Sequence, residues 1–166
     1  MPPDRVIRDR RVEPDLWRVI PAGEAFGALP PGPIVVPLAA WRERRAELAQ
    51  RRDPLGVWLA PEDDPAALRA DFDAFALVAV HFAKFTDGRG YSAGVLLRRY
   101  GYRGELRAMG DVGRDQLLHL ARCGFDSFGL RPGEDVESAL DAFIGFSIRY
   151  QGSVDDPVPL FRRRFA

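Results

Sequence analysis

Short apolar runs alternate with charged, helix-favouring stretches along residues 33–150. Five of these runs predict β-strands, which begin near residues 34, 57, 77, 105 and 126. Each strand starts 20 to 28 residues after the one before it, which is too far for a hairpin and suits a strand followed by a helix. The runs are continuously apolar, which is typical of strands in a parallel sheet that is covered on both faces.

Five further stretches predict helices, at 41–52, 64–72, 91–100, 114–122 and 135–150. Asp64 suits the capping position of the second helix and Pro65 its first turn. The predicted fold class is therefore α/β, with about five βα units forming a mostly parallel sheet and helices on both faces. A partial β/α barrel is the alternative, because a complete barrel takes eight units and ~250 residues.

The two ends of the chain differ from this regular middle part. Residues 1–32 are rich in proline and charge, and form an N-terminal extension in which Val6-Ile7 and the segment 16–20 could pair as a short hairpin. Residues 33–150 form the α/β domain. Residues 151–166 form a basic tail containing Arg162-Arg163-Arg164, which we expect to be extended.

Composition excludes several classes of protein. The 24 basic residues balance the 24 acidic ones, so no overall positive field attracts nucleic acid. No apolar run approaches the ~20 residues that span a membrane, and no signal peptide is evident, so we expect a cytoplasmic protein. One cysteine, Cys123, and two histidines cannot build a cysteine-rich metal site. We therefore expect no metal and no cofactor in the chain, and any redox cofactor would belong to a partner.

The loops after the third and fourth strands carry most of the reactive side chains. Ligands of parallel α/β folds collect at the carboxyl ends of the strands, where these loops lie. Gly88 and Gly90 would let a ligand approach the backbone, and the next helix would direct free N–H groups at it. The predicted ligand-binding residues of the two loops are Arg89, Tyr91, Ser92, Arg114 and Gln116. The alternative is an ordinary turn and helix start, which use the same residue types.

Three further residues are candidates for catalysis. Lys84 is the only lysine among the 24 basic residues, and lysine, unlike arginine, can lose its charge when buried. Asp87 and Asp111 could act as general acid or base. The alternatives are codon bias toward arginine and a helix-capping role for Asp111. His81, at the end of the third strand, could be a base or simply a packed side chain.

The segment 84–92 resembles a bacterial family of unknown function that is commonly labelled an oxidoreductase involved in sulfite reduction. The resemblance continues through 104–108, 110–117, 122–126, Phe146-Ser147 and Tyr150-Gln151. It implies a small cytoplasmic protein encoded beside assimilatory sulfite reductase, with a place in sulfate assimilation. In that family a proline usually precedes the lysine and an acidic residue stands two places earlier; here those positions hold Ala83 and His81.

These observations favour an accessory or anion-binding protein of sulfite assimilation, with sulfite reductase subunits as partners. A small anion would bind at the two loops, where Asp87 accepts hydrogen bonds from its own loop or from Arg114 and leaves Arg89 facing the cleft. The alternatives are a small enzyme, oxidoreductase or lyase-like, that uses Lys84 with Asp87 or Asp111, and a protein-docking module that could form a homodimer.

Overall fold

A single mixed sheet forms the frame of the fold, which the computed structural model describes over residues 4–23, 29–144 and 150–163. Its eight strands in these ranges are β1 (Arg5–Arg8), β2 (Arg11–Pro14), β3 (Arg18–Val19), β4 (Ile34–Pro37), β5 (Leu55–Leu59), β6 (Leu77–Phe82), β7 (Glu105–Gly110) and β8 (Ser127–Phe128). The order across the sheet is β2-β1-β8-β7-β6-β5-β4-β3. Strands β3 to β8 run parallel to one another, whereas β1 is antiparallel to both β8 and β2.

Short helices connect the strands. The α-helices of the described ranges are α1 (Leu38–Glu43), α2 (Arg45–Leu48), α3 (Arg89–Arg99), α4 (Leu117–Arg122), α5 (Val136–Ala139) and α6 (Leu160–Arg163). Four turns of 3-10 helix lie at Pro65–Leu68, Phe72–Ala74, Arg114–Gln116 and Leu140–Phe143.

The five predicted strands are present as β4 to β8, and they pair in parallel as expected. The connection between β5 and β6 is not the predicted helix over 64–72, because it consists of two 3-10 turns. Asp64 nevertheless caps the first turn, accepting a hydrogen bond of 2.9 Å from the backbone N–H of Ala66. The βα units are therefore less regular than the sequence pattern suggests.

Parallel strands follow one another across the sheet in chain order, as they do in the wall of a barrel. A doubly wound sheet, with helices on both faces, would instead reverse its strand order at a switch point. The observed order therefore fits the partial-barrel alternative better than the open sheet.

The predicted N-terminal hairpin exists, but its second strand is different. Strand β2 pairs with β1 across Asp9 and Arg10, whose φ angles of 50° and 61° suit the tight turn of a two-residue hairpin. The segment expected to be the second strand, 16–20, instead contains β3, which pairs with β4 at the opposite edge of the sheet.

This connection forces the sheet to curl. Only three residues, Asp15 to Trp17, join edge strand β2 to edge strand β3, and they can span at most about 14 Å. A flat sheet of eight strands would be about 34 Å wide, since neighbouring strands lie about 4.8 Å apart. The sheet is accordingly curled into a half-barrel, and its two edges come close together.

Alternate residues of the strands pack on the two faces of the curled sheet. On β6, Val78, Val80 and Phe82 belong to the main core. Leu77 and Ala79 belong to a smaller cluster on the opposite, inner face, with Trp17 and Val19. The main core lies beneath α3, which comes close because a Cβ at Gly90 would be 2.5 Å from the ring of Phe82.

The tail packs against the domain where it is described. The backbone N–H of Val154 donates to the carbonyl of Arg122 at 3.0 Å, and Arg163 pairs with Asp156. The expected extended arm is thus a folded segment ending in α6. Some features singled out in the sequence lie outside the described residues: the end of the last predicted helix at 145–149, which includes Phe146-Ser147, and Arg164. Within the described ranges, no helix has the length and apolarity required to cross a membrane.

Candidate functional site

A cavity of about 460 Å³ opens on the inner face of the half-barrel, toward the carboxyl ends of β5 to β8. Its size is typical of a small-molecule site, as is its position. Most of its lining is apolar: Val19, Pro21, Ala22, Trp58, Met109, Leu130 and Pro132. Asp15, His81 and Arg107 supply the polar side chains of the lining.

Trp58 forms one wall of the cavity. Its indole Nε1 donates a 2.9 Å hydrogen bond to the carbonyl oxygen of Ile20, just after β3. The ring is tilted by 56° against His81 on the neighbouring strand, with 5.8 Å between ring centroids. Because the indole N–H already has a partner, Trp58 presents a fixed apolar surface.

Arg107 holds the floor of the cavity together. Its Nη1 donates to both carboxylate oxygens of Asp15 at 2.8 and 2.9 Å, and its Nη2 donates to Oε1 of Glu105 at 2.8 Å. Its Nε donates to Oγ of Ser127 at 3.0 Å. The side chains of Arg107 and Asp15 are only 4% and 5% exposed, so this is a buried ion pair. It ties the β2–β3 connection across the inner face to β7.

The charges of this cluster are already balanced. One guanidinium faces the carboxylates of Asp15 and Glu105, and Nη1 of Arg8 lies 3.7 Å from Oε2 of Glu105. The donors of Arg107 are directed at these acceptors and at Ser127. The floor therefore offers little attraction to an incoming anion.

His81 is the polar group of the cavity wall that remains available. Burial lowers the pKa of His81, and the nearby charge of Glu62 opposes this effect only partly. Its ring forms no hydrogen bond to any residue that the structure describes. A neutral imidazole has one N–H donor and one acceptor nitrogen, so His81 can bind either kind of polar atom.

The loops that the sequence singled out lie at the same end of the sheet. Lys84 is exposed, and its side chain has no hydrogen bond or ion pair with the described residues. Asp111 joins the two loops, because its Oδ2 accepts a 2.8 Å bond from the backbone N–H of Phe85. Its Oδ1 accepts a 3.2 Å bond from Arg131, and these bonds lower the pKa of Asp111.

Asp87 is anchored within its own loop, as expected. Its carboxylate accepts a 3.1 Å bond from the backbone N–H of Arg89 and a 2.6 Å bond from Nη2 of the same residue. These bonds, of which the side-chain ones contribute most, lower the pKa of Asp87 to about 2. The prediction that Arg114 is the arginine partner of Asp87 is wrong, because Nη2 of Arg114 lies 4.0 Å from Oδ2 of Asp141. Arg89 is consequently not free to face the cleft, because it folds back onto a carboxylate two residues away.

Tyr91 and Gln116 connect the two helix starts. The Nε2 of Gln116 donates to the hydroxyl of Tyr91 at 2.9 Å, and its Oε1 accepts from the backbone N–H of Gly113 at 2.8 Å. Gln116 is only 4% exposed, so this pair supports the loops from beneath. Ser92 and Arg114 are exposed on the surface. Gly90 lies in the first turn of α3 and packs against Phe82, so the prediction that it opens the loop backbone to a ligand is wrong.

Sequence reasoning missed the residues of the inner face: Asp15, Trp58, Arg107 and Met109. A usable signal was present in Arg107, a charge between the apolar residues Leu106 and Ala108 in the middle of a strand. A charged residue in such a strand requires a buried partner. Among the described residues, no group of three His, Cys, Asp or Glu side chains could hold a metal ion.

One family model matches the chain over residues 56–161, and its description is "Bacterial protein of unknown function (DUF934)". The matched part runs from β5 into α6 and includes both loops, Trp58, His81 and Arg107. It leaves out the hairpin and Asp15. Neither the curated proteins nor the solved structures contain a match to the chain.

Proposed function

Because this chain belongs to that bacterial family of unknown function, its site is the best guide to its role, and we propose that it is a binding protein for a small uncharged aromatic molecule. The ligand would lie in the inner cavity, against Trp58 and Met109. The observation that carries this proposal is the cavity of about 460 Å³ at the carboxyl ends of the parallel strands.

The walls support a flat apolar ligand. The fixed indole of Trp58 suits stacking, and the flexible thioether of Met109 can adapt to a ring edge. His81 would form the one directional hydrogen bond to a polar atom of the ligand. Such a site, mostly apolar with a few polar groups, is the usual arrangement for small organic molecules.

The electrostatics support a ligand without charge. Arg107 is already paired with Asp15 and Glu105, and the lowered pKa of His81 favours its neutral form. A sulfur oxyanion in this cavity would meet the carboxylate of Asp15 and a guanidinium, that of Arg107, which is already paired. If the protein acts in sulfite assimilation, as the resemblance implies, a sulfur oxyanion would therefore bind outside the inner cavity.

Lys84 supports a second candidate function, binding of a small anion at the outer loops. Its ammonium is exposed and has no partner among the described residues. The two sites are separable, since Lys84 does not line the cavity. An accessory role beside sulfite reductase stays a prediction in either case.

A fluorescence titration with two matched dyes tests the main proposal. N-phenylnaphthylamine is neutral, and anilinonaphthalene sulfonate has the same rings with one added sulfonate. We expect the neutral dye to bind at least ~10-fold more tightly, because the one cation that lines the cavity, Arg107, is already paired. Met109→Trp should fill the cavity and abolish binding, whereas Val158→Trp, on the exposed tail, should not change it.

Equal binding of the neutral dye to wild type and to Met109→Trp would overturn the cavity as the site. Lys84→Met should leave the titration unchanged. Loss of dye binding in Lys84→Met would instead move the site to the outer loops.

A further inference from the structure

A second concave surface lies on the outside of the molecule, between α3, α4 and the tail residues 151–159. It is an open groove of about 1030 Å³. It shares no lining residue with the inner cavity, so it is a separate surface.

The groove combines an apolar floor with a basic rim. Val95, Val154, Pro157 and Pro159 supply apolar surface. Arginines supply the charge, and no aspartate or glutamate lines the groove where the structure describes it. The carboxylates of the adjoining tail are engaged elsewhere, because Asp155 accepts a hydrogen bond from Ser153 and Asp156 pairs with Arg163.

The rim arginines differ in how far they are engaged. Arg98 is committed to the fold, since it donates to Asp126 and to the carbonyls of Gly124 and Gly104. The side chains of Arg99 and Arg103 are exposed and form no hydrogen bond or ion pair within the described ranges.

Arg122 adds a third donor beside the groove. Its Nη2 donates to the carbonyl of Gln151 at 3.2 Å. Its Nε is buried and has no acceptor among the described residues.

We propose that this groove docks an acidic segment of a partner protein, in which carboxylates alternate with apolar side chains. The carboxylates would pair with Arg99 and Arg103, and the apolar side chains would pack on Val95 and Pro157. A peptide fits better than a nucleic acid, because the groove provides apolar contacts and the chain has no net positive charge.

The test is fluorescence polarisation with a fluorescein-labelled peptide in which glutamate alternates with leucine. We expect saturable binding that weakens at higher salt. The Arg99→Glu/Arg103→Glu variant should bind at least ~10-fold more weakly. The control variant Arg42→Glu/Arg52→Glu makes the same change at two exposed arginines away from the groove, and should bind within ~2-fold of wild type.

Circular dichroism of both variants checks that the fold is kept, since the substituted side chains are exposed. The proposal is overturned by any of three results: no saturable binding of the glutamate peptide, equal binding of a peptide with lysine in place of glutamate, or equal weakening by the control variant. Tighter binding of a short duplex DNA that displaces the peptide would identify a nucleic-acid surface instead.

Discussion

A histidine in a partly buried wall takes its protonation state from its surroundings. His81 lies between Trp58 and Met109 on the inner face, where burial lowers its pKa below the ordinary value of 6.5. The unfolded chain then binds a proton more readily than the folded one. The contribution of neutral His81 to the free energy of unfolding is fully present above the pKa of the unfolded chain, about 6.5. It is lost as the pH falls from that value through the lower pKa of the folded state.

We therefore expect the imidazole signal of His81 to titrate below pH 6.5 in proton NMR. The chain has two histidines, so the spectrum is simple, and His81→Gln identifies the signal by its disappearance. A midpoint at or above 6.5 would contradict the buried position of the ring.

At the residue scale, the sequence separated the loops from the strands but did not show which face of a strand is the inner one. In β5 and β6 both faces are largely buried, so apolar residues occupy both faces and their alternation does not show which face is the inner one. Trp58 therefore looked like any core residue. Asp87 was correctly expected to bond its own loop, whereas the choice between Arg89 and Arg114 depended on side-chain geometry that residue type does not encode.

At the scale of elements, one buried ion pair joins a short connection to a central strand. Asp15 lies in the three residues between β2 and β3, and Arg107 lies on β7. Removing one partner of a buried pair leaves the other charge without compensation. The connection across the inner face should depend on this contact.

We expect Arg107→Met to lower the free energy of unfolding by ~3–5 kcal/mol, because it leaves Asp15 buried without its cation. Arg5→Met is the matched control, since Arg5 pairs with Glu137 while their side chains are 52% and 59% exposed. It should cost at most ~1 kcal/mol. Urea denaturation measures both. Equal losses in the two variants would show that the inner pair has no special role.

The strands were largely predictable, whereas the predicted helices 41–52 and 135–150 are broken into short pieces where the structure describes them. Five apolar runs marked β4 to β8, because parallel strands buried on both faces need continuous apolar residues. The pattern failed at 64–72, where capping by Asp64 and Pro65 starts a helical turn but does not decide between a 3-10 turn and an α-helix. It also failed at 16–20, because β3 pairs with a strand that follows it in the chain and no local turn indicates this.

At the scale of the whole molecule, strand order is the feature that local pattern could not determine. The five predicted βα repeats favour an open sheet and leave a piece of a barrel as the alternative. The decision comes from the three-residue connection between the two edges, which requires the sheet to curl. The curl creates the inner cavity, so the proposed site is a property of the whole fold and of no single motif.

The most direct test of this site is methyl NMR of the two methionines, Met1 and Met109, of which Met109 lines the cavity. With the methionine methyl groups labelled and the signals assigned by Met109→Leu, N-phenylnaphthylamine is added until its fluorescence saturates. We expect the Met109 methyl to shift in the ring current of the dye and to show a nuclear Overhauser effect to the protons of the dye. An unchanged Met109 signal at saturating dye would contradict the inner cavity as the binding site.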